Sequence, residues 1–184
     1  MTAYLVNLAT LATVFGILAA SLNLLIGYAG IFSMAHAVFF GLGAYAGAQL
    51  AILFVPDVLL ACILGAAIAT ALSLCLALPA LRVRGEYFVV ASLGVQMMAA
   101  TIFTEAHAVT GGHGGLVGIP PATLLGFDVS DPAVFLGVCL AVLVLVLAVI
   151  RLLMRGSFGR ALMAIRDSES ASEAFGKRVA RVKT

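Results

Sequence analysis

Three histidines, three cysteines and eight carboxylates are the side chains with the most chemistry to offer in this 184-residue chain. Their spacing forms no catalytic set. His36, His107 and His113 include no pair four residues apart, the arrangement that would hold zinc on a helix. Cys62, Cys75 and Cys139 fall inside apolar runs at spacings that fit neither a metal motif nor a disulfide framework. They read as small apolar residues on helix faces. No G-x-S-x-G elbow occurs. Gly176 and Lys177 are followed by Arg178, and Ala171 stands where a phosphate loop needs its first glycine. The chain therefore reads as a non-enzyme with no cofactor, and any ATP it depends on must be bound by another protein.

What remains is a set of polar side chains inside apolar sequence. His36 is ionisable, which makes it a functional candidate in a membrane. The competing reading is a neutral imidazole bonded to a backbone carbonyl beside a chain break. Asn23, Ser33, Gln49 and Gln96 either line a polar path or bond between helices. Asn23, Ser33, His36 and Gln96 are taken as candidates for a translocation pathway.

The elements that carry them follow from composition. Hydrophobic residues make up 64% of the chain and charged ones 10%, against roughly 25% charged in an average soluble domain. The mean hydropathy is +1.21. Eighteen charged residues cannot cover the polar surface that a soluble domain of this size presents. A soluble enzyme, a disordered tail and a nucleic-acid binder are excluded, which leaves a polytopic protein of the lipid bilayer.

Runs at 2–26, 29–55, 58–81, 87–104 and 132–150 contain no Asp, Glu, Lys or Arg. A bilayer core of roughly 30 Å needs about 20 helical residues, and each run is about that long. Backbone groups in hydrocarbon must bond internally, and the runs lack the alternation of a barrel strand. The expected fold is an all-α polytopic transmembrane helical bundle of about five segments plus a short cytoplasmic coupling helix. Residues 1–150 form the membrane part and 151–184 the tail. Breaks fall at 27–30, at Pro56 and Asp57, at 82–86 and across an outer loop at 105–131.

Charge sets the orientation. Arg82 and Arg84 place the third connection in the cytoplasm, and eight of the ten basic residues follow position 150. The two cytoplasmic assignments are separated by an even number of crossings. The 105–131 loop is then outside and carries Glu105, Asp128 and Asp131 with two histidines and no lysine or arginine. Counting back puts the N-terminus outside, although one of the first two runs could instead re-enter. Run two holds Gly43-x-x-x-Gly47 and Ala44-x-x-x-Ala48, spacings that let helices approach closely. In the tail, residues 156–159 read as a turn and 160–166 as a short interfacial segment. Asp167 or Ser168 can cap a second short helix, Ser170 and Glu173 have capping-box spacing, and Gly176 suits the C-terminal end. A helix of about eight residues does not persist alone in water and needs a membrane surface or a partner groove.

Four strings carry a resemblance. SLNLLIGYAGIFSMAHAVFFGLGAY at 21–45, LRVRGEYF at 81–88 with SLG at 92–94, TGGHGGLVGIP at 110–120 and GRALMAIRDSESASEAFG at 159–176 occur in this order. Together they resemble branched-chain amino acid ABC transporter permeases of the LivM type. Departures stand at Ala35, His113 and Gly114, at the serines of 170–172, and at Lys177 and Arg178. The family continues with further helices beyond this point, so a chain ending at Thr184 is expected to be a truncated product that does not transport alone.

The resemblance implies an inner-membrane permease subunit. Its implied partners are cytoplasmic ATP-binding subunits, a second homologous permease and a periplasmic substrate-binding protein. It implies that Arg160, Arg166, Glu169, Glu173, Ala174, Phe175 and Gly176 couple to the ATPase. It also implies that Glu105, Asp128 and Asp131 face the binding protein. Branched-chain amino acids are the implied substrate class, with urea or short amides as the competitor. A self-contained channel or secondary transporter would want paired intramembrane charges or repeats, and neither is found in the sequence.

Overall fold

A computed structural model of the chain describes residues 2–53, 57–80, 86–124 and 126–167. The predicted apolar runs become α1 (Thr2–Asn23), α2 (His36–Leu53), α3 (Val58–Ala80), α4 (Glu86–Glu105) and α6 (Pro132–Arg155), with the single turn α5 (His107–Thr110) in the expected outer loop and α7 (Ser157–Asp167) in the tail. Among the described residues, four helical stretches are long and apolar enough to cross a bilayer: Ala3–Tyr28, His36–Leu53, Tyr87–Glu105 and Pro132–Arg155. Val58–Leu74 within α3 adds a shorter apolar stretch.

Apolarity all round, rather than one apolar stripe, explains why these helices hold in lipid. Each satisfies its own backbone. The hydroxyls within them turn inward on the same helix: Thr10 donates to the Val6 carbonyl, Thr13 to Ala9, Thr70 to Ala66 and Thr101 to Met97. Such i−4 bonds let a hydroxyl enter hydrocarbon without another helix. Large side chains such as Leu5, Phe15, Ile63, Met98 and Val144 remain exposed along the helices, as a lipid-facing surface requires.

The chain forms two compact units, Met1–Phe32 with Pro132–Thr184, and Ser33–Asp131. In the first, α1 packs on α6, and α6 turns at Gly156 into α7. In the second, α2 packs closely on α3, and α4 lies against α2. The 105–131 segment adds α5, a single 3-10 turn (Gly112–Gly114) and a hairpin that pairs β1 (Thr123–Leu124) antiparallel with β2 (Phe127–Asp128). The expected domain boundary at residue 150 falls within α6.

Four boundaries differ from expectation. α1 does not stop at Ile26 but widens into a π-type turn (Leu24–Tyr28) in which the Ala29 N–H reaches the Leu24 carbonyl at 3.2 Å. α2 starts at His36 rather than at 29, because Gly30 enters the left-handed region at φ +68° and ends helical bonding. The expected 156–159 turn is a bend at Gly156 alone, with α7 beginning at Ser157. α6 continues to Arg155, past the end of the uncharged run at Ile150, since a helix end can carry its charges into water. The connection at 82–85 and the second tail helix expected over 168–175 lie outside the described residues.

Candidate functional site

Three places collect the polar residues singled out by the sequence. One lies at the end of α1. The last carbonyls of a helix have no intrahelical donor. Arg166, near the end of α7, supplies one: its Nη1 donates to the Gly27 carbonyl at 2.6 Å. Its aliphatic stem lies over Gly30, where a Cβ would come within 2.5 Å of Arg166 Cγ. Beneath it, Ala29, Met154 and Leu162 are buried together, lined by Leu24, Tyr28, Ile31 and Ile150. Arg160 Nη1 donates to the Arg155 carbonyl at 3.2 Å. Two of the expected coupling residues thus bond to backbone of their own unit. Asn23 is exposed at the end of α1, with its Oδ1 2.6 Å from where a Cβ on Gly27 would stand. Glu169, Glu173, Ala174, Phe175 and Gly176 lie outside the described residues.

The second place is where the non-helical lead into α2 meets α4. Ser33 and His36 are half-buried there. Ser92 is 5% exposed, and its hydroxyl accepts the Met34 N–H at 3.0 Å while donating to the Val89 carbonyl at 2.8 Å. Non-helical backbone at membrane depth is tolerated only where protein satisfies it, and Ser92 does so here. Gln96, Ala99 and Phe103 continue the same face of α4 at helical spacing. Ala35, Val38 and Ala99 form its buried centre, and the Tyr45 and Phe103 rings meet at 5.1 Å. The Gln96 Oε1 is buried, with no hydrogen-bond partner among the described residues. Three of the four pathway candidates therefore belong to this unit, and Asn23 belongs to the other. In the sequence Ser92 stands only as part of the SLG string at 92–94. The signal that would have found it is a serine aligned with Gln96 on a face otherwise made of Ala and Phe.

The third place is the acidic end of the second unit. Thr110 is 3% exposed and locks the start of the loop, donating to the Phe103 and Ala106 carbonyls and accepting the Gly112 N–H at 3.1 Å. Gln49 Nε2 donates to the Val109 carbonyl. Asp57 caps α3 by accepting the Leu59 and Leu60 N–H groups, and it bridges to Thr123. Asp57, Asp128 and the exposed Glu105 thus share one end of this unit, where Asp131 immediately precedes α6. Asp57 joins this group only in the tertiary structure. Among the described residues, no three His, Cys, Asp or Glu side chains converge on a metal position.

Asp128 is held below the ordinary carboxylate range, first by the Ser130 hydroxyl and then by the Ser130 N–H, whose bond to Oδ1 is 2.8 Å. A depressed folded value means that the contribution to loop stability is present above the unfolded pKa and is lost as pH falls through the folded one. Ser130→Ala is expected to raise the Asp128 pKa toward its ordinary value, as followed by carboxyl-carbon NMR titration. An unchanged titration midpoint would remove the hydroxyl from this account.

Comparison with known proteins supplies a frame for these three places. The family model described as branched-chain amino acid transport system / permease component matches residues 4–184. The chain is similar to the high-affinity branched-chain amino acid transport system permease protein LivM of Escherichia coli, with 30% identity over 201 residues. The match covers 97% of this chain and 47% of that protein. The corresponding protein of Salmonella typhimurium is 29% identical with the same coverage. The chain spans about half the length of these curated relatives. No solved structure matches.

Proposed function

The chain belongs to the family of permease components of branched-chain amino acid transport systems, and from that membership we propose that it lines part of the membrane path of an ATP-driven importer. The observation that carries the reading is the extent of the match, which takes in the apolar helices and the basic tail alike. Hydrophobic amino acids are the proposed cargo. Cytoplasmic ATP-binding subunits, a second permease and a substrate-binding protein outside the membrane are the proposed partners. ATP would be hydrolysed on the separate subunits.

In this proposal the tail is cytoplasmic and the 105–131 loop faces outward in the bacterial inner membrane. Two contacts bear on which connections share a side. Asp57 bridges Thr123, which puts the α2–α3 connection and the outer loop at one end of their unit. Arg166 meets Gly27, which puts the first break and the tail at one end of the other. Each pairing agrees with the even number of crossings between its members. Ser33, His36 and Gln96 contribute polar groups to the path, and so does Asn23. Glu105, Asp128 and Asp131 are the docking side for the binding protein, joined there by Asp57. Arg160, Arg166, Glu169, Glu173, Ala174, Phe175 and Gly176 form the side that meets the ATPase.

The test is retention of the ATP-binding subunit by the membrane-embedded full chain. Glu173→Lys is expected to lower substrate moved per ATP by about tenfold, within the usual range of inter-site coupling. Undiminished association and coupling would overturn the assignment of Glu173.

A further inference from the structure

We propose that Arg166 is a positioning residue that ties α7 to the helix break at 27–30, so that displacement of α7 is passed directly to the end of α1. The inference rests on the reading of the tail as the surface that meets the ATPase.

The attachment has two points. At its start, α7 is seated by Gly159, which is buried against the backbone of Met154. Near its end, the Arg166 guanidinium holds the Gly27 carbonyl at 2.6 Å. Leu162 lies between them, 5% exposed and packed with Ala29 and Met154. A helix of 11 residues is a rigid rod of roughly 16 Å. Held at both ends and in the middle, it cannot tilt without moving residues 27–31.

The receiving end departs from regular α-helix. Residues 24–28 bond in the wide π pattern, which occurs as single turns at functional positions in helices. The Ile31 N–H reaches back to the Leu25 carbonyl at 3.1 Å, and Gly30 sits in the left-handed region. A guanidinium at a helix C-terminus is also favoured by the helix dipole. Gly30 has a second reason to be glycine, because the Arg166 stem occupies the space a Cβ would need. Gly30→Ala therefore offers a way to dislodge the arginine without altering its chemistry.

The experiment places spin labels at Ala19→Cys on α1 and Ala164→Cys on α7, both exposed, in the full chain in lipid with its native cysteines replaced. Transport per ATP is measured in the assembled importer that contains the same variants. Unmodified Arg166 and Arg166→Lys are expected to give a narrow distance distribution, and Arg166→Ala and Gly30→Ala a broadened one. Transport per ATP is expected to fall about fivefold or more in Arg166→Ala and Gly30→Ala, the lower end of typical coupling factors, and to be largely restored by lysine. A narrow distribution in Arg166→Ala overturns the tie. A broadened distribution with unchanged transport per ATP overturns the transmission. The distance measurement needs no partner, so the tie is judged separately from the importer reading. A wild-type assembly that fails to use ATP for uptake overturns that reading and the transmission with it.

Discussion

Leucine in place of Gly65 is expected to separate α2 from α3. A Cβ on Gly65 would lie 2.9 Å from the Gly43 carbonyl oxygen, 2.9 Å from the Gly47 nitrogen and 3.0 Å from the Gly47 Cα. All three are backbone atoms, so no side chain can swing aside. Across the same crossing, a Cβ on Gly47 would stand 3.3 Å from the Ala61 carbonyl oxygen. Lipid is as apolar as leucine, so helix pairing in a membrane depends on close packing rather than on escape from water. Alanine at 65 should cost about 1–3 kcal/mol, the usual range for over-packing. Leucine requires several ångströms of separation and should abolish the pairing. Thermal melting in detergent, together with cross-linking of cysteines placed on α2 and α3, reads both effects. Gly94→Ala is the control, since a Cβ there meets nothing within 4 Å. It should be neutral or stabilise slightly, because alanine is the better helix former by about 1 kcal/mol. Equal losses at 65 and 94 would mean that the crossing is not what holds this unit.

Gly159→Ala is expected to unseat α7 from α6. An added Cβ would lie 2.5 Å from the Met154 Cα and overlap the Met154 carbonyl oxygen. The corner is short, with only Gly156 between the two helices, so it cannot spread the strain. The cost should reach or exceed the upper end of the roughly 1–3 kcal/mol over-packing range. It is concentrated on the contacts of Leu162 with Ala29 and Met154 and on the Arg166–Gly27 bond. Limited trypsin digestion checks this, because Arg160 and Arg166 are the cleavage points on α7. Cleavage there should accelerate at least about tenfold if the lost docking energy exceeds about 1.4 kcal/mol and opening is fast relative to cutting. Gly156→Ala should change little, as its nearest neighbour to an added Cβ is the Leu153 carbonyl oxygen at 3.4 Å. Matching digestion rates for Gly159→Ala and the unmodified chain would refute the seating.

The helical runs were legible because lipid imposes a local demand. Apolar side chains and internal hydrogen bonds are required residue by residue, so 58–80 and 132–150 read as helix without knowledge of any neighbour. The close-packing role of Gly43 and Gly47 was legible for a similar reason, since their spacing puts both on one face. The break at 27–30 was legible as a break but not in form. Its π turn, the left-handed Gly30 and the delayed start of α2 at His36 were not legible, and neither were the partners from distant sequence, Arg166 for the Gly27 carbonyl and Ser92 for the Met34 N–H. Arg160 and Arg166 were legible as basic residues of a tail. That both bond to carbonyls of their own unit was not, because charge suggests a partner without saying which.

The sequence alone determined the class of this protein, its family and the order of its apolar helices. These follow from composition and contiguous strings, which carry their information within tens of residues. The tertiary structure alone decided which faces meet: Gly65 on Gly43 and Gly47, Ala99 with Ala35 and Val38, Asp57 against Thr123, and Arg166 on Gly27 across 139 residues. The physical reason is that a helix apolar on every side has no stripe to announce its packing face. In lipid that choice falls to glycine gaps and single hydrogen bonds, and these exist only once two distant segments stand together.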